Sequence, residues 1–213
     1  MVQVISVVQE KGGAGKSTFL AGLAALMADD GAKVLIIDTD PQKTISSWAE
    51  KENSNVDFLY EDDDAKLMPT VAATKNDYDV IFIDTAGFKS VMTVYAISAA
   101  DLVLIPSKAS EPDARGAIKT HAHVQSVSMA QSKEIPAYII LNDVDKMARI
   151  TNSVKDAIVE QNVPLLKAIL WSRTGLKEMM SEGGLPNGTA LAALKEVMAE
   201  LQIRKAIETR KAA

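Results

Sequence analysis

The segment Gln9-Glu10-Lys11-Gly12-Gly13-Ala14-Gly15-Lys16-Ser17-Thr18 concentrates residue types that handle a polyanion. Gly12, Gly13 and Gly15 allow backbone dihedrals that other residues avoid, so consecutive N–H groups can be aimed at one anion. Lys16 can reach terminal phosphates and the Ser17 hydroxyl can ligate magnesium. A helix beginning at this point turns its positive end toward the same charge. The general pattern Gly-x-x-x-x-Gly-Lys-Ser/Thr puts its first glycine at position 10, where this chain has Glu10. Lys11 is a further cation that phosphate binding alone does not require.

A magnesium nucleotide site also needs carboxylates to hold the cation and orient water. Two groups of acids follow apolar runs: Asp38-Thr39-Asp40-Pro41-Gln42 and Asp84-Thr85-Ala86-Gly87. Taken singly, each acid reads as a cap or turn residue. Together, at strand ends beside a phosphate loop, they read as a site, because open α/β sheets build their sites at the carboxyl ends of strands. Gly87 would permit the close backbone approach that sensing a terminal phosphate needs.

These side chains depend on an alternation of strands and helices to bring them together. Val2–Val8, Lys33–Ile37, Val80–Ile83, Leu102–Ile105 and Ala137–Leu141 are short continuous apolar runs, the pattern of strands buried on both faces. Asp57–Tyr60 and Leu165–Ile169 read as additional short strands. Ser17–Ala28, Val91–Ala99, Ala114–Ser128, Thr151–Gln161 and Thr189–Ala206 have helical length and spacing. The expected fold is a three-layer α/β/α architecture around a mostly parallel twisted sheet. The run Glu61–Asp64 reads as a solvated loop capping the helix that follows, and Gly183–Gly188 reads as a loop. Leu191, Leu194, Met198 and Leu201 form a stripe expected to dock the last helix, over 189–211, on the domain.

The motifs Lys11-Gly-Gly-Ala-Gly-Lys16-Ser17, Asp38-Thr-Asp40-Pro-Gln42 and Ile83-Asp84-Thr-Ala-Gly87 together resemble the ParA/MinD family of deviant Walker ATPases, in order and in spacing. The resemblance covers most of the chain. It implies P-loop NTPase topology, ATP and Mg2+ as cofactors, and an ATP-bound homodimer with two nucleotides sandwiched face to face. In that family Lys11 would cross to the partner's nucleotide while Lys16 serves its own. The resemblance makes Lys11, Lys16 and Asp40 catalytic, with Asp40 positioning or activating the attacking water. Asp38 would support Ser17 and magnesium, and Asp84 would hold a magnesium-bound water. The nucleotide-binding set would be Lys11, Gly12, Gly13, Ala14, Gly15, Lys16, Ser17 and Thr18, with Asn142 and Arg173 toward the base. Trp171 stands where the family usually has a proline before Ser172 and Arg173. Turnover would be slow without a stimulating partner of ParB type.

Composition narrows the setting. The 213 residues are 47% apolar and 24% charged, with a formal charge of −5, which excludes a surface basic throughout but not a local basic patch. Absence of cysteine excludes disulfides, thiolate metal sites and the iron-protein relatives of nitrogenase. A single domain over 1–213, without a preceding helix-turn-helix and in the cytoplasm, is expected. Arg204, Lys205, Arg210 and Lys211 give the tail basic character with no bulky apolar residue at its end, which favours nonspecific DNA over membrane. A solvated helix end explains that tail equally well. The short ParA layout is shared by VirC-type proteins that act on transferred DNA, and a positioning ATPase for a non-DNA cargo is the alternative. His121 and His123 are two apart on a helix and are not expected to share a metal. Trp48 and Trp171 read as packing residues, Ser107–Pro112 as a segment of the dimer interface, and Arg115 as interface or surface.

Overall fold

The computed structural model describes residues 2–51, 55–87, 90–145, 150–172 and 174–207. Its strands are β1 (Gln3–Val7), β2 (Val34–Asp38), β3 (Asp57–Tyr60), β4 (Val80–Asp84), β5 (Leu102–Ser107), β6 (Ala137–Val144) and β7 (Leu165–Trp171). They form one sheet in the order β3-β2-β4-β1-β5-β6-β7, and every pairing is parallel. Each expected strand is present, and β5 and β6 run further than their apolar cores suggest. Pro106 marks an early end for β5 in the sequence, yet the strand keeps its register with β6 through Ser107. A proline removes a donor but leaves a carbonyl, and Gln9 Nε2 donates to the Pro106 carbonyl at 3.2 Å.

The helices are α1 (Lys16–Asp29), α2 (Thr44–Ala49), α3 (Asp64–Thr74), α4 (Val91–Ala99), α5 (Glu111–Gln131), α6 (Ile150–Glu160), α7 (Thr174–Glu182) and α8 (Gly188–Ile203). Asp63 caps α3 by accepting from Ala65 N at 3.1 Å, the role expected of the acidic run. α5 begins at Glu111 because Ser110 caps it and accepts from Asp113 N at 3.2 Å. The short helices α2 and α7 carry too few turns for a periodic signal, and sequence reading passed over them.

Alternate strand residues face opposite layers, which is why the strands are apolar without interruption. Val34, Ile36, Phe82, Leu102 and Leu104 pack with α1, α2, α7 and α8. Leu35, Ile37, Ile81 and Ile83 pack with α3 and α4, and Val103, Ile105, Ile139 and Leu141 pack with α4, α5 and α6. On α8, Leu194, Met198 and Leu201 are buried, whereas Leu191 lies only at the margin of the core. Gly22 on α1 allows the approach, since a Cβ there would stand 2.8 Å from Leu194 Cδ1. Trp48 is 1% exposed in the core, and Trp171 packs at the edge of the other layer. Among the described residues no helix is long and apolar enough to cross a membrane.

Because all strands are parallel, their carboxyl ends share one edge of the sheet. The chain leaves β1 toward β2 on one side and later passes from β4 to β5 on the other side of β1. The end of β1 is therefore a topological switch point, where such sheets open a crevice. The Gln9–Gly15 loop starts there.

Candidate phosphate-binding site

The loop is held from both sides. Gly13 and Gly15 have φ of 76° and 78°, in the left-handed region, and Gly15 serves as the N-cap of α1. From the end of β6, Asn142 Nδ2 donates to the carbonyl of Ala14 at 2.9 Å and of Gly15 at 3.4 Å. From the end of β4, Gly87 comes so close that a Cβ on it would stand 2.8 Å from Gly12 Cα and 3.3 Å from Lys16 Nζ. Asn142, expected toward the base, thus also braces the loop. It also lines a cleft of about 120 Å³ beside the loop, together with Gly15, Thr18, Asp143, Leu176 and Lys177. Leu176 and Lys177 come from α7, an element the sequence had not revealed.

Lys16 is 7% exposed. Burial pulls its ammonium below the ordinary lysine range, and Asp84 and then Asp40 act in the opposite direction. The Ser17 hydroxyl donates to Asp84 Oδ2 at 2.6 Å. Asp84 is fully buried, and that burial pushes its carboxyl up to about 7 against the opposing pull of Ser17 and Lys16, with Asp38 and Asp40 adding to the rise. Among the described residues, Asp84 Oδ1, which is buried, has no hydrogen-bond partner. An orphaned carboxylate oxygen beside a serine hydroxyl is an oxygen donor set suited to a hard divalent cation or its water. The residues present fit magnesium.

The Ser17 hydroxyl is on Asp84, while Asp38, expected to support Ser17 and magnesium, has its Oδ2 accepting from Ser46 N at 3.0 Å and Ser46 Oγ at 2.6 Å. Asp38 Oδ1 accepts from Asp40 N at 3.0 Å. Strand order explains the exchange: β4 lies between β1 and β2, with Val7, Asp84 and Asp38 in register across the three strands. Asp84 is thus one strand from the loop and Asp38 two. Asp40 lies in the turn after β2, where its Oδ1 accepts from Gln42 N at 2.9 Å.

The leading edge of the loop rests on α5. Gln9 is fully buried, and its Oε1 accepts from Thr120 Oγ1 at 3.1 Å and from Lys11 N at 3.4 Å. Glu10 N donates to Thr120 Oγ1 at 3.3 Å, and Glu10 Oε1 lies 3.3 Å from His123 Nδ1. Lys11 Nζ pairs with Asp113 Oδ1 at 2.8 Å. Sequence reading missed Gln9, Thr120, His123 and Asp113 in this role; their spacing on α5, 113, 120 and 123, marks one helical face. Arg115 pairs with Glu111 on the surface of that helix. Arg173 lies outside the described residues, as do Arg210 and Lys211 of the basic tail.

Comparison with known proteins places the chain in a family and a fold. The family model described as VirC1 protein matches residues 2–211. Protein ParA of Rhizobium radiobacter is 28% identical over 185 residues, covering 85% of this chain and 83% of that protein. Protein virC1 of the same organism is 26% identical over 191 residues, covering 86% and 83%. Among solved structures, apo McdA of Cyanothece superposes with a TM-score of 0.79 at 19% identity, covering 94% of this chain and all of that one. At that identity the last match speaks for the fold.

Proposed function

The chain belongs to the VirC1 protein family, and from that premise we propose that its ATP-bound form is a homodimer that binds DNA nonspecifically and releases it on hydrolysis. It is a P-loop ATPase of ParA/MinD type, with ATP and Mg2+ as its nucleotide and metal. Within that class it acts in partition or positioning. The observation that carries the site assignment is the buried, unpartnered Asp84 Oδ1 next to Ser17 and Lys16.

In this reading the loop N–H groups and Lys16 bind the phosphates. Ser17 and Asp84 would hold magnesium, with Asp38 behind them. Magnesium, when bound, neutralises charge on the phosphate oxygens. Asp40 orients the attacking water, and Lys11 reaches the nucleotide of the second subunit. Phosphoryl transfer relies on position and charge more than on covalent chemistry, so a cation supplied by a second subunit makes turnover conditional on dimerisation. The chain then works as a switch, with a ParB-type protein as the expected stimulator.

The test combines light scattering after size exclusion with DNA retardation, in ADP and in a non-hydrolysable ATP analogue, across a salt series. A dimer and salt-sensitive DNA binding in the analogue alone support the proposal. A dimer that ignores DNA at low salt favours a positioning ATPase for a protein cargo instead. The family match over residues 2–211 also favours a VirC-type accessory role in DNA transfer. That reading differs from partition in the DNA handled, not in the nucleotide cycle.

A further inference from the structure

The two lysines of one short loop lie in different surroundings. Lys16 is buried toward Asp84 and Gly87. Lys11 leaves the loop on the other side, its side chain 41% exposed and its Nζ 2.8 Å from Asp113 Oδ1. Asp113 is not a casual surface partner. Its side chain is 9% exposed, and its second oxygen is held by the Ser110 hydroxyl, which also accepts from Asp113 N. α5 also passes the loop at Gly116, one turn further along, where a Cβ would be in ordinary contact at 3.6 Å from Lys11 Cβ.

We propose that Asp113 is a positioning residue that holds Lys11 on its own subunit in the nucleotide-free state and sets the threshold for releasing it. This rests on the reading of Lys11 as a cation that acts across the dimer. Removing Lys11 from Asp113 leaves a buried carboxylate without its charge partner, which is costly. The exchange becomes favourable only when a phosphate group of higher charge takes the lysine. The added γ-phosphate of ATP supplies that charge, and ADP does not. The Lys11–Asp113 pair therefore opposes dimerisation in the absence of ATP and helps the dimer discriminate between the two nucleotides.

The test is the protein concentration at which half the chain is dimeric in a non-hydrolysable ATP analogue, by light scattering. In Asp113→Asn that midpoint should fall about three- to tenfold, the shift expected when a contact present in one state alone is removed. Measurable dimer should also form in ADP. Asp113→Glu keeps the charge, so its midpoint should stay nearer to wild type than that of Asp113→Asn. An unchanged or raised midpoint in Asp113→Asn overturns the proposal, and so does an equal shift in Asp113→Glu, which would assign the effect to packing rather than charge. A wild-type chain that binds the analogue yet never dimerises overturns the underlying dimer reading. The wild-type trace alone distinguishes that failure from the others.

Discussion

Ser17 Oγ and Asp84 Oδ2 lie 2.6 Å apart, and this bond ties the first turn of α1 to the end of β4 at the centre of the site. Among the described residues it engages the one Asp84 oxygen that has a hydrogen-bond partner, since Oδ1 has none. Ser17→Ala should leave the buried carboxyl without any hydroxyl donor. A loss of about 1–3 kcal/mol in nucleotide-free stability is expected, read by urea unfolding. The same variant should bind ATP no better with magnesium than without it, by calorimetry. Full retention of the magnesium effect would count against the Ser17 and Asp84 assignment.

Asn142→Ala removes the brace beneath the loop, because its Nδ2 is the donor to the Ala14 carbonyl at 2.9 Å. With Asn142 only 3% exposed, water has little access to replace it. Destabilisation of about 1–3 kcal/mol should follow, as a lower urea midpoint at constant slope. Asn142→Asp should be worse, since a carboxylate would face carbonyl oxygens. If both variants match wild type, the brace is unimportant.

Asp40→Ala should still bind ATP but hydrolyse it about 10²-fold or more slowly, the usual loss when a group that orients the nucleophile is removed. It should therefore accumulate as an ATP dimer on size exclusion. A variant that stays monomeric with ATP would remove Asp40 from that role.

Glu200 offers a pH test away from the site. On α8, its carboxylate accepts from Lys167 N at 3.0 Å and Ala168 N at 2.9 Å on the edge strand β7, and Arg204 donates to it at 2.7 Å. Burial alone would raise this carboxyl, but the Lys167 and Ala168 N–H groups and Arg204 together hold it below the ordinary 4.5. A depressed acid stabilises the fold above its unfolded pKa and loses that contribution as pH falls through its folded value. Glu200→Gln should cost about 1–2 kcal/mol near pH 7 by urea unfolding, and the difference should shrink as pH drops below about 4.5. An offset constant from pH 7 to pH 3 would show that charge plays no part.

The Glu200 contacts also show where sequence reading stops. The edge position of β7 follows from strand order, and the use of a helical glutamate to occupy the N–H groups of an edge strand is a tertiary solution to an exposed ladder. α2 and α7 went unseen for a different reason. They are short, and Ile45 with Trp48 and Leu176 with Met179 give a single i, i+3 step each, too brief a pattern to mark a helix.

What the sequence determined by itself is local and compositional. Glycines at 13 and 15 before Lys16-Ser17 specify a phosphate loop because few other residues reach their left-handed dihedrals. Uninterrupted apolar runs specify strands covered on both faces, and the parallel seven-stranded sheet follows from their alternation with helices. Tertiary structure alone decided which acid meets Ser17, because a carboxylate's partner depends on strand order, and β4 rather than β2 lies beside β1. It likewise decided where Lys11 rests. The lysine was legible as an extra cation, but Asp113 lies 102 positions away by residue number (113 less 11) and meets it only because α5 packs against the loop at Gly116. Side-chain chemistry is written in the sequence, whereas the partner of each side chain is set by packing between distant segments.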